Sequence, residues 1–134
     1  MKKIKTAILS VYNKRGVTAF ASELIQMGEK IYSTGGTYKM LKSEGIAVEA
    51  IEDYTASPEM MDGRVKSLHP KIHGGILAVR DNKEHMEDIK KNNIELFDLV
   101  VVNLYPFREA VDKGAEIDEI VENNLDIFHN LPPY

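Results

Sequence analysis

An α/β fold with a mainly parallel sheet and helices on both faces is predicted by three observations. Short apolar runs alternate with segments of helical period along most of the chain, which implies right-handed crossovers between parallel strands. Leu99-Val-Val-Val-Asn103 is a continuous β-branched run, the pattern of a strand covered on both faces. At 134 residues with 43% hydrophobic and 28% charged content, the chain is the size of one domain able to bury a core.

Each element follows in order. Thr6–Val11 is a short buried strand. Val17, Phe20, Ala21, Leu24 and Ile25 recur at helical spacing, and Gly28 ends that helix. Lys30–Ser33 is a second strand, followed by the turn Thr34-Gly-Gly-Thr37 and a helix over Tyr38–Ser43 that Gly45 closes. Ala47–Ile51 is a third strand. From Glu52 to about Lys71 no period is evident, and loops of that length in compact domains are usually functional or disordered. Ile76–Val79 is expected as a strand, His85–Lys91 as a polar helix, and further helices near Arg108–Asp112 and Ile117–Asn123.

Charge and composition exclude several functions. The net charge of −4 argues against general nucleic-acid binding. There is no cysteine, so disulfides, zinc–thiolate sites and thiol nucleophiles are ruled out. The basic start is followed by too short an apolar run for a signal peptide, and no run approaches the roughly 20 residues of a membrane span. A cytoplasmic location is the default.

In parallel α/β sheets ligands bind beyond the carboxyl ends of the strands. Ser10–Lys14, Ser33–Thr37 and Asn103–Tyr105 all lie just past strand ends and are expected to converge. Ser33, Thr34, Gly35, Gly36 and Thr37 combine hydroxyls with glycines at a strand-to-helix turn, where backbone N–H groups can approach an anion and Lys14 can neutralise it. An ordinary turn capped by Thr37 is the plain alternative. The Lys-Ser/Thr ending of a Walker A loop is absent.

Met61–Gly75 (MDGRVKSLHPKIHGG) crowds Arg64, Lys66, His69, Lys71 and His73 into ten residues. His69 and His73 have the spacing of two metal ligands on a helix, but Pro70 biases His69 away from helical geometry and no H-E-x-x-H carboxylate accompanies them. No aromatic residue interleaves the charges as nucleic-acid binding would require. A solvated basic loop and a pocket for a small anionic substrate remain, the latter with Lys66 polarising a carbonyl. Asn103 can donate and accept, and Tyr105 offers a hydroxyl and a ring; a strand cap with core aromatics is the alternative there.

Four stretches taken together, SVYNKRG, STGGT, PEMMDGRVKSLHPKIHGGILA and DLVVVNLYPF, resemble the amino-terminal IMP cyclohydrolase domain of the bifunctional purine-biosynthesis enzymes that also carry an aminoimidazole-carboxamide ribotide formyltransferase domain. The likeness runs from about Lys5 to Ile127. It implies a methylglyoxal-synthase-like fold and dehydrative closure of formamidoimidazole carboxamide ribotide to IMP, with no metal or other cofactor, no nucleic acid or membrane partner, and a homodimer. Carried over by position, Ser10, Tyr12, Asn13, Lys14 and Ser33 to Thr37 would hold the nucleotide, with Tyr12 standing where a smaller residue is common. Arg64, Lys66 and Ser67 would surround the reacting base, and Asn103, Tyr105 and Asp126 would complete the chemical end.

After Ile127 the resemblance ends. The family continues with two glycines, a proline and a helix bearing a further lysine, whereas this chain reads Phe128-His-Asn-Leu-Pro-Pro-Tyr134. Residues 1–127 are therefore expected to form an incomplete cyclohydrolase-like domain, and 128–134 a divergent tail. Without that lysine, a module that binds a phosphorylated ligand but performs no chemistry is the alternative. A methylglyoxal-synthase-like lyase, the third class, gains nothing from Met61–Gly75.

Overall fold

A computed structural model describes residues 3–103 and Asp112. Four strands, β1 (Thr6–Ser10), β2 (Lys30–Ser33), β3 (Val48–Ala50) and β4 (Leu99–Val102), form one parallel sheet in the order β3-β2-β1-β4. The chain builds outward from β1 to β2 and β3, then returns to place β4 on the other side of β1. That reversal beside β1 is where a parallel sheet opens a crevice at its carboxyl edge.

Strand alternation divides the core between two faces. Ala7, Leu9 and Ile31 point to one side, where helix α1 (Val17–Gln26) buries Val17, Ala21 and Leu24 and helix α2 (Gly35–Ser43) buries Leu41. Ile8 and Tyr32 point to the other, against Ile51 of α3 (Ile51–Thr55), Ile72 of α4 (Pro70–Leu77) and Phe97. Full burial of each such Leu, Ile or Val side chain contributes about 1.5–3 kcal/mol. Phe20, expected on the buried stripe of α1, is instead 42% exposed. Helix α5 (Lys83–Lys91), capped by Asn82, buries no residue and lies as an outer polar helix.

Two further expectations are overturned. Ile76–Val79 is not a strand: Ile76 and Leu77 end α4, which begins after His69, whose Nδ1 accepts the Lys71 N–H, with Pro70 in the first turn. Pro70 thus starts a helix, as its missing N–H permits. Gly74 and Gly75 let that helix close on Ile94 and Phe97; a Cβ at Gly75 would strike the Glu95 carbonyl and come within 2.6 Å of the Phe97 ring. The segment after Glu52 is also more ordered than its lack of period implied. It contains most of α3, ended by Ala56 in the left-handed region, and a small hairpin closed by Met60 and Val65. Elements of five residues are too short to display a period.

No described helix is long and apolar enough to cross a membrane. The expected helix at 117–123, most of that at 108–112 and the tail from Phe128 lie outside the described residues.

Candidate phosphate and base site at the carboxyl edge

The three strand ends converge. Ser10 Oγ, at the end of β1, lies 3.0 Å from Thr34 Oγ1, the residue that caps α2. Thr37 in the first turn of α2 donates to the Val11 carbonyl (3.0 Å) and accepts the Val11 N–H (3.1 Å). Ser33 Oγ donates to the Leu9 carbonyl at 2.6 Å. Ser33 and Thr37 are almost wholly buried, so their hydroxyls hold β1, β2 and α2 together rather than line an open surface. Helix α2 starts at Gly35 under Thr34, not after Thr37.

Asn103, just past β4, clamps the loop after β1. Its Oδ1 accepts the N–H groups of Tyr12 (2.7 Å) and Asn13 (3.1 Å), and its Nδ2 donates to the Asn13 carbonyl at 2.7 Å. Asn13 Oδ1 in turn accepts the Arg15 N–H (3.0 Å), shaping the entry to α1. The amide groups of Asn103 and Asn13 therefore set backbone geometry, and Tyr12 presents a half-exposed ring beside them.

Two cations meet at the start of α2. Lys14 Nζ donates to the Val11 and Tyr12 carbonyls (3.3 and 3.2 Å) and lies 3.6 Å from where a Cβ on Gly36 would stand. Lys66 Nζ arrives from the hairpin and lies 4.0 Å from the corresponding point on Gly35. The first N–H groups of a helix have no intrahelical acceptor, and the helix dipole adds partial positive charge there. Glycines at 35 and 36 keep that backbone open. Nothing in this arrangement favours a cation as ligand; an anion with several oxygens matches it.

The hairpin supplies the adjoining wall. Met60 and Val65 exchange backbone bonds of 2.9 and 3.2 Å, and the turn between them places Met61, Asp62 and Gly63 at positive φ. Arg64, Lys66 and Ser67 follow, all partly buried. His69 and His73 are both engaged at the start of α4, His73 Nδ1 lying 3.3 Å from the His69 carbonyl. Among the described residues no three His, Cys, Asp or Glu side chains group as metal ligands. Tyr105 and Asp126 lie outside the described residues. The Asn103 clamp and the Thr37–Val11 tie were not legible as such in the sequence; the residue types were, but not their partners.

Comparison with known proteins gives the family of the chain. The MGS-like domain family matches residues 16–127. The chain is 53% identical over 119 residues to the bifunctional purine biosynthesis protein PurH of Persephonella marina, covering 89% of this chain and 23% of the relative. It is 54% identical over 121 residues to that of Chlorobaculum parvum (90% and 23%) and 55% identical over 119 residues to that of Clostridium acetobutylicum (89% and 24%). It thus spans about a quarter of the length of the curated relatives it matches. The crystal structure of ForH superposes with a TM-score of 0.71 at 27% identity, covering 96% of this chain and 81% of that one. On sequence and fold alike, the chain belongs to the MGS-like domain family.

Proposed function

We propose that this chain is an IMP cyclohydrolase domain that closes formamidoimidazole carboxamide ribotide to IMP in purine biosynthesis. The observation that carries the reading is the meeting of Lys14 and Lys66 at the glycine-opened start of α2, beside the Ser10–Thr34 hydroxyl pair. The ribotide phosphate sits at that helix start, and its base reaches the hairpin wall of Arg64, Lys66 and Ser67. Identity above 50% to proteins named for purine biosynthesis supports the substrate class. The same reading makes the protein a cytoplasmic homodimer, a state that sedimentation would test.

The chemistry fits these groups. The carboxamide nitrogen attacks the formyl carbon and forms the new C–N bond. The formyl oxygen then departs as water, taking one proton from the carboxamide nitrogen and one from the formamido nitrogen. An amide nitrogen is a weak nucleophile, so the oxygen must be stabilised as charge builds on it, which a cation such as Lys66 does. Tyr105 and Asp126 serve as the proton relay in this scheme. Holding both reacting groups of one molecule face to face lowers the barrier further.

The test is IMP formation from the ribotide by the purified chain. Lys66→Ala is expected to slow closure by about 10²–10³-fold, the usual effect of removing one oxyanion-stabilising group. IMP binding by a folded chain with no closure would replace the enzyme by a nucleotide-binding module of the same fold.

A further inference from the structure

We propose that Lys71 is a positioning residue for Lys66, acting as a staple across the base of the loop that carries the hairpin. The inference rests on the ring-closure reading above. Lys71 occupies the first turn of α4, where a cation opposes the helix dipole. Its ammonium turns away from that turn and donates to the Tyr54 carbonyl at 3.3 Å, 17 residues back in sequence. It also lies 5.1 Å from the centroid of the Tyr54 ring. The contact joins the last turn of α3 to the first turn of α4 and so closes the loop that contains Arg64, Lys66 and Ser67.

That loop carries strained backbone. Its hairpin rests on one isolated bridge, and Met61 and Asp62 adopt a left-handed backbone that side-chain-bearing residues avoid. Tyr54 is by contrast rigidly placed. Its hydroxyl accepts the Glu95 N–H at 2.8 Å, and its ring packs against Tyr32 (4.9 Å) and edge-on to Phe97 (6.3 Å). Glu95 accepts the Tyr32 hydroxyl at 2.7 Å, and Tyr32 directly precedes Ser33 and the start of α2. The two halves of the site therefore share one rib: the phosphate turn stands on Tyr32, and the hairpin is stapled through Lys71 to Tyr54 beside it. A shift of about 1 Å in a reacting group can cost 10²-fold in rate, so a staple at the loop base governs Lys66 without touching substrate.

Lys71→Met keeps the aliphatic stem and removes the donor and the charge. It is expected to lower kcat for IMP formation about tenfold while KM, set chiefly by the phosphate turn, stays within about twofold. Lys71→Arg, which can still reach the carbonyl and the ring, is expected to restore most of kcat. Hydrogen exchange supplies a readout independent of turnover: amides of residues 59–68 should exchange about tenfold faster in Lys71→Met, with those of Ala7–Leu9 unchanged. Unchanged loop exchange overturns the staple whatever the rate does, and faster loop exchange with unchanged kcat overturns its role in placing Lys66. If Lys71→Met does not fold, Lys71→Gln takes its place. A wild-type chain that makes no IMP sinks the ring-closure reading alone, and the staple is then decided by exchange.

Discussion

The two ends of the sheet both gather cations, but they answer them differently. At the amino end Lys30 sits 3.0 Å from Glu95 and 3.5 Å from Glu49, and Arg80 meets Asp98 at 2.6 Å. The hydrogen-bonded surroundings of Tyr32 and Glu95 raise the Lys30 ammonium above its ordinary range even though burial works the other way. At the carboxyl end Lys14 faces backbone carbonyls and the start of α2, with Lys66 nearby. One end is a closed account of charge within the fold. At the other, Lys14 and Lys66 stand at the start of a helix, and the proposed reading seats an external anion there.

Substitutions at Lys14 and at Asp98, which lie outside the shared Tyr32–Tyr54–Glu95 network, should therefore separate binding from stability. Lys14→Glu is expected to weaken IMP binding by about 10²-fold or more, equivalent to about 2.7 kcal/mol, with little change in urea midpoint. Calorimetric titration checks the first and denaturation the second. Equal loss of stability would mean that Lys14 is a structural cation like Lys30.

Asp98→Asn should do the reverse. The Asp98 carboxylate accepts the N–H groups of Lys5 (2.8 Å) and Thr6 (3.1 Å) as well as the Arg80 guanidinium, tying the start of β1 to β4. Burial opposes its ionisation, but these donors outweigh burial and hold the carboxyl below its ordinary 3.8. Because the folded-state pKa is depressed, the stabilisation is complete above the unfolded value and is lost as pH falls through the folded one. The variant is expected to cost about 2 kcal/mol at pH 7 and to flatten the acid limb of the stability profile, with IMP affinity unchanged. Denaturant melts from pH 7 to pH 3 would show it.

The smallest effect sharpens the contrast from neutral ground. Ala56 ends α3 at φ 55°, a conformation that costs a Cβ-bearing residue, so Ala56→Gly should stabilise the chain by about 1 kcal/mol. A thermal melt checks it, and a destabilised variant would show that the Ala56 methyl makes packing contacts outweighing the strain.

The sequence carried the architecture well where strands are buried on both faces. The strand Lys30–Ser33 has the bounds that its pattern implies, and the meeting of Ser10–Lys14, Ser33–Thr37 and Asn103 follows from the rule for parallel sheets. It misleads at Ile76–Val79, because a short apolar run looks like a strand until the His69 cap and the close approach of Gly75 to Phe97 are known. At the site, residue type foretold position but not duty. Ser33, Thr37 and Asn103 all have groups suited to a ligand, yet each engages backbone across 24 to 91 residues of sequence. Such pairings depend on tertiary neighbours that no local pattern records. The Lys71–Tyr54 staple is of the same kind.

The most direct test compares binding of IMP and inosine to the whole chain by titration calorimetry. The account predicts that IMP binds and that inosine, identical but for the phosphate, binds at least about 10²-fold more weakly, with Lys14→Glu erasing the difference. Equal affinity for the two would contradict the assignment of the α2 start as a phosphate seat.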